Sequence, residues 1–126
     1  MKLPDGYDIE VLSKGLSDYT VSLMFGGTIA GTVYCYDTTA RCATWKIRIY
    51  ETHSRLEPEH RGKGLGLAMY SAAIDYGLER GPAVVSTYSP SAFARRVWCS
   101  TRLAKAYLVS KLNKRYWVSR ARKVEE

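Results

Sequence analysis

The sequence predicts an α/β domain built on a mixed, mainly antiparallel sheet, and three features carry that reading. Between residues 19 and 56, segments rich in β-branched and aromatic residues alternate with a period of two and are separated by turn residues. A glycine-rich loop at 62–66 then joins a strand pattern to a segment with helical spacing. The remaining chain runs strand, helix, hairpin, and a strand that follows a helix crossover has a parallel neighbour.

Taken in order, Tyr7 to Val11 reads as a short strand, and Leu12 to Asp18 leaves room for one turn of helix. Tyr19 to Phe25 is a strand, Gly26-Gly27 a hairpin turn, and Thr28 to Tyr36 the returning strand. Asp37 to Ala40 is read as a turn. Trp45 to Leu56 is a long strand with Ile47 and Ile49 on one face and Arg48 and Tyr50 on the other. Its tail Glu51-Thr52-His53-Ser54 is polar, and a core strand that turns polar beside a glycine loop often lines a site. Leu65, Ala68, Met69, Ala72, Ala73 and Tyr76 follow helical spacing up to Glu79, and Gly81-Pro82 stops the helix. Ala83 to Tyr88 reads as a buried strand. Ser89-Pro90 reads as an N-cap and first helical position for a helix reaching Leu103. Ala106 to Leu112 and Arg115 to Arg120 form the last hairpin, turning at Asn113-Lys114.

The chain has 126 residues, the size of one domain, with 121–126 as a short charged tail. No stretch approaches the roughly 20 apolar residues that span a bilayer, and the N-terminus has no signal-type apolar core, so no membrane association is expected. Cys35, Cys42 and Cys99 are odd in number and lack zinc-ligand spacing; they are expected to stay reduced in a cytoplasm. His53 and His60 do not cluster with them, and no metal is expected. The net charge of +7 is uneven: ten basic residues and no acid lie between Arg95 and Lys123. That surface suits a polyanion, an acidic protein or a nucleic acid; the alternative is a solvated basic face with no partner.

Gly62, Gly64 and Gly66 leave the backbone bare at a helix N-terminus, where amide donors and the helix dipole favour an anion. Arg61 and Lys63 add positive charge, so the ligand is expected to be a phosphate or pyrophosphate. A Walker loop would need a hydroxyl after Lys63, where Gly64 stands, and a dinucleotide fingerprint would need a third glycine at a spacing absent here.

Arg61-x-x-Gly64-x-Gly66, preceded by Leu56-x-Pro58, resembles the acetyl-CoA-binding motif of the GNAT acetyltransferase superfamily, in a short form similar to small phage-borne members. The likeness extends from about residue 19 to 118 and includes Tyr88-Ser89-Pro90-Ser91-Ala92-Phe93-Ala94-Arg95-Arg96-Val97-Trp98. It implies two neighbouring parallel strands that splay apart, with helices flanking the sheet. The two helices that usually separate the first and second strands are reduced or missing, so the acceptor groove is open or is roofed by another subunit.

The resemblance implies acetyl-CoA as donor and a primary amine as acceptor. A macromolecular amine, on a protein lysine or N-terminus, is favoured over a small amine or an aminoacyl-tRNA. A non-catalytic fold that binds acetyl-CoA, a protein or nucleic acid is the other reading. By position, the Leu56 N–H would serve the thioester carbonyl, and the amides of Arg61, Gly62, Lys63, Gly64, Leu65 and Gly66 the pyrophosphate; Arg96 could reach the coenzyme. A protonated amine must lose a proton. Glu51 is the first choice of base, with His53 next; both face one way if the strand is regular. The slot of the family's acidic tyrosine holds Trp98, which leaves Ser100, Cys99 or Tyr107 to assist the thiolate.

Overall fold

The computed structural model describes residues 3–14, 18–42, 45–112 and 114–119, with the backbone alone at 14, 39–42, 45–48 and 112. Among the described residues, seven strands form one sheet: β1 (Tyr7–Lys14), β2 (Asp18–Phe25), β3 (Thr28–Cys42), β4 (Trp45–Leu56), β5 (Ala83–Val85), β6 (Ser110–Leu112) and β7 (Arg115–Ser119). Their order is β1-β2-β3-β4-β5-β7-β6. Every pairing is antiparallel except β4 with β5, as the crossover requires. The helices are α1 (Leu65–Arg80), α2 (Ala92–Trp98) and α3 (Thr101–Ala106).

Period-two alternation decides which side chains meet α1. Tyr19, Val21 and Leu23 of β2 and Val33 and Cys35 of β3 share one face and pack into the core with Leu65, Met69, Ala73 and Ile74. The Tyr19 hydroxyl is buried there and donates to the Ala73 carbonyl at 2.6 Å, as a buried hydroxyl must find an acceptor. A smaller cluster of Ile49, Ala83 and Val85, with Trp117 against it, lies on the other face. Tyr34 and Tyr36 also point to that face and remain 41% and 45% exposed.

Several expectations shift. Leu12 to Lys14 belongs to β1 and pairs with Asp18 to Thr20, so the expected turn of helix is a hairpin strand; residues 15–17 lie outside the described ones. Asp37 to Ala40 continues β3 in register with Tyr50 to Ile47, because a long partner strand outweighs local turn preference. Side-chain placement at Ile47 and Arg48 lies outside the described residues, as does the 121–126 tail. The strand after Gly81-Pro82 is only three residues long. The cap of α2 is Ser91, whose hydroxyl accepts from the Ala94 amide at 3.2 Å, not Ser89. The long second helix breaks at Cys99, because Ser100 caps a new helix through the Arg102 and Leu103 amides.

Burial pushes the Cys35 thiol from 9.0 up to about 12 and the Tyr70 phenol from 10.0 up to about 12, and raises Tyr19 further. These groups stay protonated in the native core while their unfolded counterparts ionise from about pH 9 upward. The folded state then holds more protons, so stability falls with pH across roughly pH 9 to 12. Each group contributes up to about 1.4 kcal/mol per pH unit. Urea midpoints should decline steeply above pH 9, and the decline should be shallower in Cys35→Ala; identical slopes would show that Cys35 is not part of it.

Candidate active site

β4 and β5 are paired only at Tyr50 with Val84 and Glu51 with Val85. β5 then ends, while β4 runs on to Leu56. A crevice opens between them, with the Thr52 hydroxyl donating to the last β5 carbonyl, Val85, at 2.9 Å. The Glu57 amide bonds Ala30 of β3 at 2.9 Å. Alternation therefore aims the Leu56 N–H at the opposite edge, into the crevice.

Beyond β4, a 3-10 turn at Pro58–His60 leads into the glycine loop. Gly62 and Gly64 adopt left-handed φ of 83° and 74°, which L-side chains resist. Among the described residues the amides of Gly62, Lys63, Gly64, Leu65, Gly66 and Leu67 donate to no carbonyl; the Arg61 amide differs and bonds Pro58 at 3.2 Å. Gly66 is needed for packing, since a Cβ there would lie 2.8 Å from Phe93 of α2.

Three recesses join end to end. The first, about 240 Å³, is lined by Leu56, Arg61, Gly62, Gly64, Leu65 and Gly66 with Phe93, Arg96, Ser100 and Arg102 opposite. The next shares Leu56, Arg61, Phe93 and Arg96 with it and reaches Ser54 and Ser91. The last, about 250 Å³, continues from Ser54 and Ser91 to Thr52, His53, Tyr70 and Ser86 in the crevice. One groove thus runs from a glycine loop with free amides, under three arginines, to the polar tail of β4. An elongated ligand with an anionic head and a neutral arm matches that donor set.

The groove gathers Leu56, Arg61, Gly62, Gly64, Leu65, Gly66, Arg96 and Ser100, all singled out by the sequence. Arg61 folds back so that its Nε donates to the Leu56 carbonyl at 3.0 Å. The Lys63 ammonium turns away toward Tyr7, donating to its hydroxyl at 3.4 Å, while His60 Nδ1 holds the same hydroxyl at 2.6 Å. Ser100 lies at the loop end of the groove, its oxygen occupied as the cap of α3.

At the other end, Glu51 and His53 project from the same face of β4, and His53 Nε2 lies 3.0 Å from Glu51 Oε2. Glu51 Oε1 is ion-paired with Arg115 of β7. That arginine is only 4% exposed, its Nε donating to the Ser86 carbonyl at 2.9 Å and its guanidinium lying over the Tyr88 ring. Both Glu51 oxygens therefore have partners. With Glu51 as a carboxylate, His53 Nε2–H donates to it, which leaves Nδ1 as the acceptor of a neutral imidazole on a half-exposed side chain.

Trp98 is buried, stacked on Tyr116 and edge-on to Tyr70 with centroids 5.5 Å apart, and among the described residues its Nε1 has no partner at hydrogen-bonding geometry. The Cys99 thiol sits 3.1 Å from the Tyr116 hydroxyl. The Tyr107 hydroxyl bonds Asp75 on the far side of α1 and, with burial the main cause, is raised well above its ordinary pKa.

Sequence reading missed Arg102, Arg115, Ser54 and Tyr70. The two arginines were visible only as members of a basic run, Ser54 only as part of the polar tail of its strand, and Tyr70 was not singled out. Nothing local marks a side chain whose partner lies 64 residues away, as Glu51 does for Arg115.

Residues 4–99 match the profile of the Acetyltransferase (GNAT) family. The chain belongs to that family. As a GNAT acetyltransferase family member its acetyl donor is acetyl-CoA, and the seven-stranded, mostly antiparallel sheet with one splayed parallel pair is the GNAT fold. Among solved structures it is similar to a point mutant of the toxin AtaT bound to the C-terminus of the antitoxin AtaR and acetyl-CoA, with TM-score 0.68 and 11% identity over 93% of this chain and 95% of that one. A second structure, of the same mutant bound to the AtaR C-terminus, superposes with the same values. No curated protein matches the GNAT chain in sequence. Among the described residues no helix is long and apolar enough to cross a membrane.

Proposed function

We propose that this chain is an N-acetyltransferase that moves the acetyl group of acetyl-CoA to a primary amine of a macromolecule, a protein lysine or N-terminus. The observation that carries the reading is the single groove joining the free amides of 62–67 to His53. Acetyl-CoA supplies an activated thioester. The amides of Gly62, Lys63, Gly64, Leu65 and Gly66 and the side chains of Arg61, Arg96 and Arg102 hold its phosphates. The Leu56 N–H donates to the thioester carbonyl oxygen as negative charge grows there.

Of the two candidate bases, His53 takes the amine proton at Nδ1, and Glu51, with both oxygens engaged, orients the imidazole. That ordering reverses the preference drawn from sequence and follows from Arg115, whose ion pair with Glu51 the sequence did not reveal. Ser100 binds at the loop end rather than aiding the thiolate. The macromolecular acceptor is supported by the sheet face carrying Tyr34 and Tyr36, which lies open beside His53; Tyr36 meets the imidazole edge-on at 5.4 Å. The second reading, a GNAT-fold binding protein, is favoured by Trp98 in the slot of the acidic tyrosine.

Acetyl-CoA carrying a heavy acetyl group, incubated with the protein and a lysate, tests the reading. Labelled lysines or N-termini are expected in mass spectra; thiol release with no labelled polypeptide would defeat the macromolecular acceptor, and binding without thiol release would favour the non-catalytic reading. Arg102→Ala should weaken acetyl-CoA binding about tenfold, the scale of one charge-assisted hydrogen bond. Arg95→Ala, outside the groove, should change it less than twofold. Equal effects in calorimetry would remove Arg102 from the site.

A further inference from the structure

We propose that Ser54, held by Tyr70, donates the hydrogen bond that stabilises the departing sulfur of the acetyl donor, in place of the residue lost at Trp98. The proposal rests on the groove assignment above.

Ser54 stands on β4 where the middle recess meets the crevice, and it lines both. Its register partner on β3 is Val33, which offers no polar side chain. Tyr70 reaches the crevice from α1, and its hydroxyl donates to Ser54 Oγ at 2.6 Å. A hydroxyl that accepts a hydrogen bond still has its own proton to donate. Because Ser54 lines the crevice, that proton is available to a group bound there. The phenol is the more acidic of the two hydroxyls and so the better donor, which favours Ser54 as the acceptor of the pair.

Trp98 supplies an independent observation. Its Nε1–H is buried with no acceptor at hydrogen-bonding geometry among the described residues, and its ring packs edge-on against Tyr70. A buried orphan donor is unfavourable. Here it lies near the Tyr70 hydroxyl, whose oxygen gains negative character when Ser54 donates to an anion. The indole that replaces an acid thus backs a two-hydroxyl chain entering from another helix.

His53 and Glu51 lie on the opposite face of β4 from Ser54, since adjacent strand residues alternate. Proton acceptor and hydrogen-bond donor therefore flank one crevice from two sides. As the amine nitrogen bonds the acetyl carbon and the carbon–sulfur bond breaks, His53 Nδ1 receives the amine proton. The electron pair of the broken bond stays on sulfur, where Ser54 Oγ–H donates to it. A thiolate of ordinary pKa near 8.5 is a modest leaving group, so a hydrogen bond suffices and water protonates it on release. Ser54 is the catalytic residue, and Tyr70 is a positioning residue.

The test compares the affinity of CoA, which carries the thiol, with that of acetyl-CoA, which does not, by calorimetry at about pH 7 and pH 9, either side of the thiol pKa. In the unmodified chain CoA should tighten relative to acetyl-CoA by about tenfold across that span, the scale of a hydrogen bond to a charged group. Ser54→Ala should abolish the relative tightening and lower kcat about tenfold with KM for acetyl-CoA unchanged. Tyr70→Phe, which keeps the ring packing, should reduce both effects in the same direction. All three proteins share the remaining groups of the crevice, so pH effects common to CoA and acetyl-CoA cancel. Relative tightening that persists in Ser54→Ala would overturn the proposal. Failure of the unmodified chain to bind acetyl-CoA would overturn the groove assignment itself, a separate result.

Discussion

Gly64→Asp is expected to abolish acetyl-CoA binding, with affinity falling at least a hundredfold. Gly64 has φ of 74° and ends the loop just before α1. Aspartate tolerates left-handed backbone better than most residues, so strain alone costs about 1 kcal/mol. Charge does more. A carboxylate would stand where six amides and the helix start favour an anion, and Arg102 Nη1, 3.5 Å from the position of its Cβ, is placed to pair with it. The mutant side chain would occupy the site as an internal ligand. Gly64→Asn separates strain from charge, having similar backbone tolerance without the carboxylate; it should retain binding within about tenfold. Calorimetry with acetyl-CoA checks both, and unchanged affinity in the aspartate variant would remove the loop from the site.

His53→Ala should lower turnover by about a hundredfold to a thousandfold with little change in KM for acetyl-CoA, the usual weight of a lost general base. It should leave thermal stability nearly unchanged, because His53 is exposed. Glu51→Gln should behave differently. Removing its charge leaves the buried Arg115 guanidinium without its anion, beside the Ser86 carbonyl and the Tyr88 and Trp117 rings. Loss of one partner of a fully buried ion pair costs about 3–5 kcal/mol; Glu51 is 27% exposed, so roughly 1–3 kcal/mol is expected once solvent screening is allowed for. The Glu51 variant should therefore lose melting temperature and part of its turnover. If Glu51→Gln abolishes turnover and His53→Ala spares it, the base is Glu51.

These two variants mark the limits of reading the chain without its fold. The loop was legible because its chemistry is local: glycines two apart, flanking basic residues and a helix start lie within eleven residues. Parity along a strand is local too, and it put Glu51 and His53 on one side, where their side chains are bonded. The ordering of the pair was not legible. The proposed ordering rests on Arg115, which the sequence shows as one of ten basic residues in a run and the fold buries against Glu51 and the Ser86 carbonyl. Part of the apparent docking surface is in this way an internal ion pair. Arg120, Arg122 and Lys123, the rest of that surface toward the C-terminus, lie outside the described residues.

The departures at the strand ends have the same origin. Asp37 to Ala40 has turn composition, but β4 opposite is long enough to carry β3 through it. Leu12 to Lys14 could support a helical turn, but β2 offers an edge to pair with. A segment's own preference amounts to tenths of a kcal/mol per residue, less than a strand gains from a paired neighbour and a buried face.

The amino-acid order therefore settled the glycine loop, the strand parity beside it and the mixed sheet, since each follows from backbone conformation and spacing along a few consecutive residues. The folded chain settled which carboxylate is occupied, which arginine faces the groove and which hydroxyls reach the crevice. Those answers depend on distances between residues far apart in sequence, and burial and pairing exist only once the sheet and α1 have brought them together.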